Sequence, residues 1–177
     1  LYARETANYK EARKEAKLVI NKADSVITLD SGLEFVYNGS VQGIKCKLNH
    51  TEGALVYSNN NNTVPGKYNV LVLVEDTINY NGASLEVNYE ILKAYSIITA
   101  ENLTVEYDGN VHSIIATLNH SDAELIYSGN NYTDVGIYSI EIKCPDTEYY
   151  YGASITVTLT IYTGNFTYEG ISFNNAE

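Results

Sequence analysis

The 177-residue chain contains no methionine and no tryptophan, and it has only two prolines, two cysteines and 11 basic residues. The 22 acidic residues bring the formal net charge to −11, so the clustered Lys and Arg that nucleic-acid binding requires are missing. No apolar run approaches the roughly 18 residues of a membrane helix, which predicts no membrane insertion of this fragment. Two cysteines cannot form a disulfide framework, so stability must come from an apolar core.

The chain also starts at Leu1 and lacks the basic-then-apolar leader of an exported precursor. We therefore expect an excised piece of a longer protein, with its targeting signals outside this fragment.

The chain does contain an internal duplication. Residues 37–91 align without a gap on residues 107–161, and 23 of these 55 paired positions are identical. The period extends toward the N-terminus, because Ile20 and the residues around it fit Ile91 and its neighbours. Such a long fixed period indicates copies of one structural unit. It predicts the C-terminal strands of a truncated preceding repeat at 1–22, full β-sandwich repeats at 23–93 and 94–162, and the start of a following segment at 163–177.

Apolar residues recur at every second position, as in strands with one buried face. Alternate positions of 68–74 and of their counterparts 138–144 are Tyr, Val, Ile or Cys, and we expect these side chains to point inward. Asn38-Gly39 and Asp108-Gly109 are predicted to form tight hairpin turns, because Gly and Asn tolerate positive φ. The other predicted strands of the first copy are 26–29, 33–37, 44–48, 55–58 and 85–93, with matching segments in the second.

The N-terminal segment conflicts with this all-β pattern. Residues 3–16 are rich in Ala, Glu, Lys and Arg, which taken alone predict a helix. The repeat register instead predicts a last strand at 14–21, and a truncated copy also leaves room for local refolding as a helix.

A Gly-x-Tyr sequence opens a late strand in both copies, at Gly66-Lys67-Tyr68 and Gly136-Ile137-Tyr138. It resembles the immunoglobulin corner in which a Tyr hydroxyl reaches back to upstream backbone while the ring fills one end of the core. With about six short strands per copy, the fold class is predicted as all-β, with tandem small antiparallel immunoglobulin-like β-sandwich repeats. Antibody domains differ, because Val70 and Ile140 stand where they have Cys, and Trp is absent.

The combined pattern Tyr-[Asn/Asp]-Gly, Leu-x-Tyr-Ser, Gly-x-Tyr and Tyr-x-Gly-Ala-Ser resembles the bacterial surface repeats called MBG or YDG domains, over residues 8–161. The resemblance implies a non-catalytic module of large exported, adhesin-like or cell-wall-attached proteins, with no cofactor. The structural markers it implies are Tyr37, Gly39, Gly66, Tyr68, Tyr80, Tyr107, Gly109, Gly136, Tyr138 and Tyr150.

The two cysteines occupy non-equivalent positions, since Cys46 aligns with Ala116 and Cys144 with Val74. Both fall on inward-facing strand positions of different copies. We therefore predict buried free thiols rather than a disulfide, because a bridge would have to join the interiors of two units.

Three matched sets of residues invite a chemical reading. His50 and His120 each lie near an acid, but without companion ligands they are better explained as turn residues. Asp76 and Asp146 lack the spacing of a calcium site and are interpreted as solvated turn acids. Lys22 and Lys93 could form Lys-Asn crosslinks, although the sequence identifies no partner. No catalytic or metal-binding residue is predicted.

Tyrosine is over-represented, with 17 residues against three phenylalanines. In the run Tyr149-Tyr150-Tyr151 only Tyr150 is repeated, so it is predicted to lie in the core, and Tyr149 and Tyr151 are predicted as an exposed pair and candidate binding residues. Leu71 and Leu73 are predicted to form an outward apolar patch covered by a neighbouring segment.

Only Ala94-Tyr95-Ser96 separates the last strand of the first copy from the strand expected at Ile97. Without a flexible spacer, we expect abutting units and a semi-rigid spacer or stalk of an extracellular, cell-surface-attached adhesin-like protein, with neighbouring repeats as partners. The alternative is an adhesive module that recognises glycan or host protein through exposed Tyr and acidic loops. An enzyme is the weakest reading, because no nucleophile, base and orienting group occur together.

Overall fold

The computed structural model describes residues 1–164, 166–168 and 171–173. Every regular element in this part of the chain is a β-strand. No helix in it is long and apolar enough to cross a membrane. At the N-terminus, β1 (Tyr2–Ala3) pairs with β2 (Ala12–Arg13), and β19 (Phe166–Tyr168) pairs with β20 (Ile171–Phe173) after the second copy.

The two copies contain the same succession of strands. The first copy has β3 (Ala23–Asp24), β4 (Ile27–Leu29), β5 (Glu34–Val36), β6 (Cys46–Leu48), β7 (Val56–Ser58), β8 (Gly66–Val74), β9 (Tyr80–Asn81) and β10 (Ala83–Leu92). The second has β11 (Ala94–Tyr95), β12 (Ile98–Thr99), β13 (Leu103–Glu106), β14 (Thr117–Leu118), β15 (Ile126–Tyr127), β16 (Gly136–Cys144), β17 (Tyr150–Tyr151) and β18 (Ala153–Tyr162).

Each copy has the strand order of an immunoglobulin-like sandwich. In the second copy a four-stranded sheet runs β13-β18-β16-β15, while β12 pairs with β14. The first copy repeats this with β5-β10-β8-β7 and with β4 on β6. β4 and β5 therefore go to different sheets, as do β12 and β13 in the second copy. β5 and β13 each run parallel to the last strand of their copy. The sheets are thus mixed, and antiparallel only in their remaining pairs.

The core of the second copy joins side chains from both sheets. Ile98 of β12 packs with Ile140 and Ile142 of β16 and with Leu159 of β18. Ile140, Ile142 and Leu159 are 0% exposed, whereas Ile137, on the opposite face of β16, is 78% exposed. The predicted inward alternation is confirmed, because a strand turns successive side chains to opposite faces. A buried Ile or Leu contributes about 1.5–3 kcal/mol, so this layer is the main source of stability.

The first copy shows the same alternation along β8. Val70, Val72 and Val74 are buried, while Leu71 and Leu73 on the opposite face are 38% and 40% exposed. Both cysteines are free thiols as predicted, with Cys144 buried and Cys46 half-buried.

The chain forms two compact units, and their limits differ from those of the copies. One unit contains residues 1–32, 44–60 and 69–88, and the other contains 33–43, 61–68 and 89–177. Because β8 and β10 have residues in both, the division passes through the first copy. Residues 33–43, 61–68 and 89–93 of that copy therefore belong to the same unit as the second copy. The predicted boundaries at 22, 93 and 162 stay predictions.

The predicted strand at 14–21 is wrong, because no strand covers residues 14–22. The helix considered for residues 3–16 does not form either. The hairpin instead pairs Tyr2 with Arg13 and Ala3 with Ala12. In the second copy the aligned positions pair in the same register, Lys143 with Ser154 and Cys144 with Ala153. The first pairs of the hairpin thus keep the repeat register. Among the described residues, its continuation has no sheet partners of the kind that β13 and β16 provide for β18.

Two predicted connections also differ from the structure. The turns at Asn38-Gly39 and Asp108-Gly109 are not hairpins, since β5 pairs with β10 and the following strand β6 pairs with β4. They reverse the chain between two sheets, and both glycines have positive φ, 75° and 78°. Ala94 and Tyr95 are not a linker but strand β11, which pairs with β17.

Residues 165, 169, 170 and 174–177 of the predicted following segment lie outside the described residues.

Candidate functional site

A tight turn connects the two longest strands of each copy and carries a tyrosine that both copies share, Tyr80 in the first and Tyr150 in the second. We call residues 146–152 the tyrosine turn of the second copy and residues 76–82 its counterpart in the first. The Thr147 amide donates to the Tyr150 carbonyl at 3.0 Å, and the Thr147 hydroxyl oxygen accepts the Tyr150 amide at 3.0 Å. A Cβ on Gly152 would lie 2.8 Å from the Cys144 carbonyl oxygen, so the turn requires glycine there.

An aspartate closes this turn in both copies. Asp146 Oδ1 accepts the Gly152 amide, and Asp76 Oδ1 accepts the Gly82 amide at 2.5 Å. The Gly82 hydrogen bond, helped by Lys22, lowers the pKa of Asp76 below its usual value. The predicted solvated turn acids are therefore structural acceptors, fixed by backbone amides.

The histidines lie in the connections that follow β6 and β14, and their rings pack behind the two turns. The ring of His50 stacks on Tyr80 with 3.7 Å between centroids, and the ring of His120 stacks on Tyr150 at 3.8 Å. His50 Nε2 lies 2.9 Å from Ser25 Oγ, and His120 Nε2 lies 2.8 Å from Ser96 Oγ. Both histidines are half-buried, so they support the turn tyrosines from inside each copy.

The hydrogen bonds around His50 determine its tautomer. Nδ1 accepts the Glu52 amide at 3.3 Å, so the proton is on Nε2, which donates to Ser25 Oγ. Ser25 Oγ in turn donates to the Asn81 carbonyl at 2.5 Å. The imidazole therefore donates a hydrogen bond to the serine oxygen, whereas a general base would accept one from the hydroxyl. The pair ties β9 to the chain before β4 and is not set up for nucleophilic catalysis.

In the part of the chain that the structure describes, no group of three or more His, Cys, Asp or Glu could hold a metal ion.

The matched lysines have polar partners on the turns. Lys22 Nζ binds Asp76 Oδ2 at 3.1 Å, and Lys93 Nζ donates to the Thr147 carbonyl at 2.5 Å. Both lysine amines therefore bind polar groups of the turns.

The tyrosine turn of the second copy meets the end of the first copy. Tyr37 stacks on Tyr149 with 4.8 Å between centroids and an interplanar angle of 27°, and it contacts Tyr150 edge-on at 5.6 Å. Lys93 Nζ lies over the ring of Tyr151 at 5.9 Å while it holds the turn through Thr147. All these residues belong to the same compact unit. We call this cluster of Tyr37, Lys93, Thr147, Tyr149 and Tyr150 the junction.

The phenols of the junction are biased toward the neutral form. The nearby Glu148 carboxylate raises the pKa of Tyr149, and burial raises the pKa of Tyr150. Neutral rings stack without charge repulsion, so the raised pKa values extend the stacked state to more alkaline pH.

The matching turn of the first copy has no such stack. Asn79 occupies the position of Tyr149 and donates to Glu52 Oε1 at 2.8 Å, which with Thr77 lowers the pKa of Glu52. Its contact with the preceding segment is the exposed Lys22–Asp76 ion pair, which contributes little in water. The aromatic junction is therefore specific to the second copy's turn.

The structure separates the two predicted binding residues. Tyr151 is exposed, at 38%, but Tyr149 is half-buried because Tyr37 covers one face of its ring. Tyr151 lies 5.2 Å from Tyr95, which is 71% exposed. Sequence reasoning missed Tyr95. The sequence signal for Tyr95 was an exchange of two residues between the copies. Asp24 and Asn81, hydrogen-bonded at 2.8 Å in the first copy, are replaced by Tyr95 and Tyr151 in the second.

The predicted corner tyrosines make the expected bond. Tyr68 donates its hydroxyl to the Val64 carbonyl at 2.6 Å, and Tyr138 donates to Asp134 at 2.9 Å. Both rings are half-buried. These contacts close one end of each copy.

No protein-family model matches the chain, and no curated protein matches it. Among solved structures, it is similar to the fibronectin(III)-like modules of Clostridium thermocellum CbhA, with 15% identity, a TM-score of 0.29, and coverage of 78% of this chain and 95% of that one. It is also similar to Drosophila N-cadherin EC1-3, with 10% identity, a TM-score of 0.33, and coverage of 82% and 69%. At these scores the likeness supports no functional conclusion, and the strand order itself defines the fold.

Proposed function

We propose that this chain is a non-enzymatic spacer segment of an extracellular bacterial surface protein, in which repeats of the MBG or YDG type are joined into a semi-rigid stalk. The observation that carries the proposal is the junction. Tyr37 and Lys93 of one copy hold the turn of the next, and β11 starts directly after Lys93.

The energies of the junction suit such a role. An aromatic pair contributes about 0.5–1.5 kcal/mol beyond its buried area, and a hydrogen bond contributes about 1 kcal/mol. Because a single residue, Lys93, connects β10 to β11, these contacts are enough to bias the joint strongly toward one arrangement. A spacer needs such a joint, whereas a hinge would need a flexible linker.

The surface location and the family are supported by composition and pattern. The net charge is −11, the turns carry much of the polar character, and the shared residues of the two copies are turn and inner-face positions. Neighbouring repeats are the proposed partners, and no cofactor is required.

Spin-label distance measurements test the joint within the compact unit that contains it. Lys67 and Ile137 are aligned strand positions with exposed side chains, and labels there report on the two sides of the junction. A cysteine-free background is available from the copies themselves, as Cys46→Ala and Cys144→Val. We expect one narrow distance distribution in the otherwise unchanged chain.

The combination of Tyr149→Asn and Lys93→Ala should broaden that distribution, because it removes the ring stack and the lysine contact. Tyr151→Asn, which introduces the residue found at Asn81, is the matched control and should leave the distribution narrow. A broad distribution before any junction residue is changed would contradict the spacer proposal.

A second candidate, an adhesive module, is favoured by one observation. Tyr95 and Tyr151 present adjacent exposed rings, 5.2 Å apart, that the fold does not require in the first copy. Aromatic rings of this kind stack on sugars and on protein surfaces. A glycan array with the whole chain distinguishes the functions, since an adhesive module gives saturable binding that is lost in Tyr95→Asp/Tyr151→Asn and a spacer gives none.

A further inference from the structure

Tyr37 is on the first copy's side of the junction. The second copy has the same surface at the end of its last strand. Tyr107 aligns with Tyr37, and the backbone holds the two identically. The Tyr37 amide donates to Leu92 at 2.8 Å, and the Tyr107 amide donates to Tyr162 at 2.8 Å. Both rings are therefore presented from the same point, at the end of the strand that runs parallel to the last strand of its copy.

Exposure distinguishes these two ends. Tyr37 and its neighbours Leu92 and Lys93 are half-buried, because the tyrosine turn lies against them. The aligned trio, Tyr107, Tyr162 and Thr163, is exposed. Tyr107 is 49% exposed and Tyr162 is 46% exposed.

We propose that the Tyr107 end of the second copy is a docking surface for the tyrosine turn of another unit of this repeat. The chain contains the template for the occupant, since the Tyr149–Tyr150 pair already covers the aligned surface around Tyr37. The ring of Tyr107 takes the place of Tyr37 in this arrangement, and Tyr162 adds an aromatic ring where the first copy has Leu92.

The residue at the Tyr149 position determines how well a unit fits. A turn with Tyr there provides a second ring for stacking, whereas a turn with Asn, as at Asn79, provides only the edge-on tyrosine. The surface therefore selects units whose turn has the Thr-x-Tyr-Tyr sequence found at 147–150. This inference rests on the proposed spacer function and adds the rule by which units are joined.

The test extends the whole chain by one unit. A duplicate of residues 94–163 is inserted after Thr163, with residues 164–177 kept at the end. His112→Gln in the duplicate, the residue of the first copy, distinguishes its peptides by mass. Nitration of exposed tyrosines by tetranitromethane, followed by mass spectrometry, gives a rate for Tyr37, for Tyr107 and for the tyrosine of the duplicate that aligns with Tyr107.

In the extended chain we expect nitration of Tyr107 to slow by about three- to tenfold toward the rate of Tyr37, the range that one aromatic pair supports. The aligned tyrosine at the new end should keep the fast rate. Tyr149→Asn placed in the duplicate alone should restore most of the Tyr107 rate, and Tyr151→Asn in the same place is the matched control that should not.

Fast nitration of Tyr107 with a protected Tyr37 would overturn this proposal and leave the spacer function standing. Fast nitration of both residues would show that the junction itself does not form, and the spacer function would fail. A duplicate that stays unfolded, recognised by rapid nitration of its corner tyrosine, would also count against the proposal, because the surface would not accept a unit of its own kind. Protection of Tyr107 in the unextended chain that grows with concentration would assign the surface to self-association instead.

Discussion

The two copies fill the same end of their cores with different residues. In the first, Tyr89 of β10 contacts Tyr68 at 5.3 Å and Phe35 at 5.7 Å, and its hydroxyl accepts from Asn62 at 2.8 Å. In the second, Leu159 aligns with Tyr89, and the aromatic ring comes from the loop. Tyr132, the counterpart of Asn62, stacks on Tyr138 at 3.8 Å.

A third aligned position also differs between the copies, with Asn59 in the first and Gly129 in the second. Gly129 has a positive φ of 84°, and a Cβ there would lie 2.6 Å from the Tyr132 hydroxyl oxygen, so this position favours glycine beside the loop tyrosine. Its counterpart in the first copy is Asn59, which has a positive φ of 56°. Position 62 of the first copy is Asn rather than Tyr, so no tyrosine ring from that position approaches Asn59. The comparison teaches that the copies diverge by compensated exchange within the core, while the turn with its Asp, Thr, Tyr and Gly stays the same.

The largest expected effect comes from breaking this compensation. Tyr89→Leu alone removes a ring that is 3% exposed and leaves Asn62 without its hydroxyl partner. We expect a loss of about 2–3 kcal/mol in the free energy of unfolding, measured by urea titration.

The combination Asn59→Gly, Asn62→Tyr and Tyr89→Leu installs the arrangement of the second copy and should recover most of that loss. Asn62→Tyr with Tyr89→Leu, without the glycine, should recover less because of the close approach to the ring. Equal stability of the single and triple variants would show that the three positions are independent.

The second prediction compares the ends of the two copies. Tyr37→Ala should lower the free energy of unfolding by about 1–2 kcal/mol, because it removes two aromatic contacts. Tyr107→Ala in the same chain should cost less than about 0.5 kcal/mol, as expected for an exposed side chain. Thermal unfolding of both variants under identical conditions checks the difference, and equal losses would remove the distinction between a covered and an uncovered end.

The third prediction concerns a feature that the copies share. Ser25→Ala and Ser96→Ala each remove the hydroxyl that is hydrogen-bonded to the histidine behind the turn. We expect each to cost about 1 kcal/mol, by the same urea measurement. A cost confined to one copy would argue that its Ser-His pair does something besides support the turn.

The smallest expected effect is a pH dependence in the turns after β5 and β13. Hydrogen bonds from Asn110, with His112 nearby, lower the pKa of Asp108 from 3.8 to about 2. A lowered pKa means that the charged carboxylate stabilises the folded state above pH 3.8, and that this stabilisation is lost as the pH falls through about 2.

Asp108→Asn introduces the residue of the first copy, Asn38, which accepts the Ser40 amide at 2.9 Å. The stability difference between this variant and the unchanged chain should be present at pH 6 and disappear near pH 2, measured by urea midpoints across the range. A difference that stays constant with pH would mean that the carboxylate charge is not involved.

Much of the fold follows from the sequence because it depends on local pattern. The alternation along residues 68–74 and 138–144 placed Val70, Val72, Ile140 and Ile142 correctly in the core, since a strand has a period of two. The duplication identified the turns, and even the hairpin at Tyr2 and Arg13 keeps the register of the full copies. The Gly-x-Tyr sequence likewise predicted the bond from Tyr68 to Val64.

Only the tertiary structure decided which strands pair and what covers each tyrosine. The pairing of β5 with β10 joins segments far apart in the chain, so the turn at Asn38-Gly39 could not be distinguished from a hairpin by its residues alone. Tyr149 was expected to be exposed, because its own neighbours are polar or aromatic loop residues and the ring that covers it, Tyr37, belongs to the other copy. Sequence periodicity reports which face of a strand is apolar, whereas contacts between copies depend on where folding brings distant surfaces together.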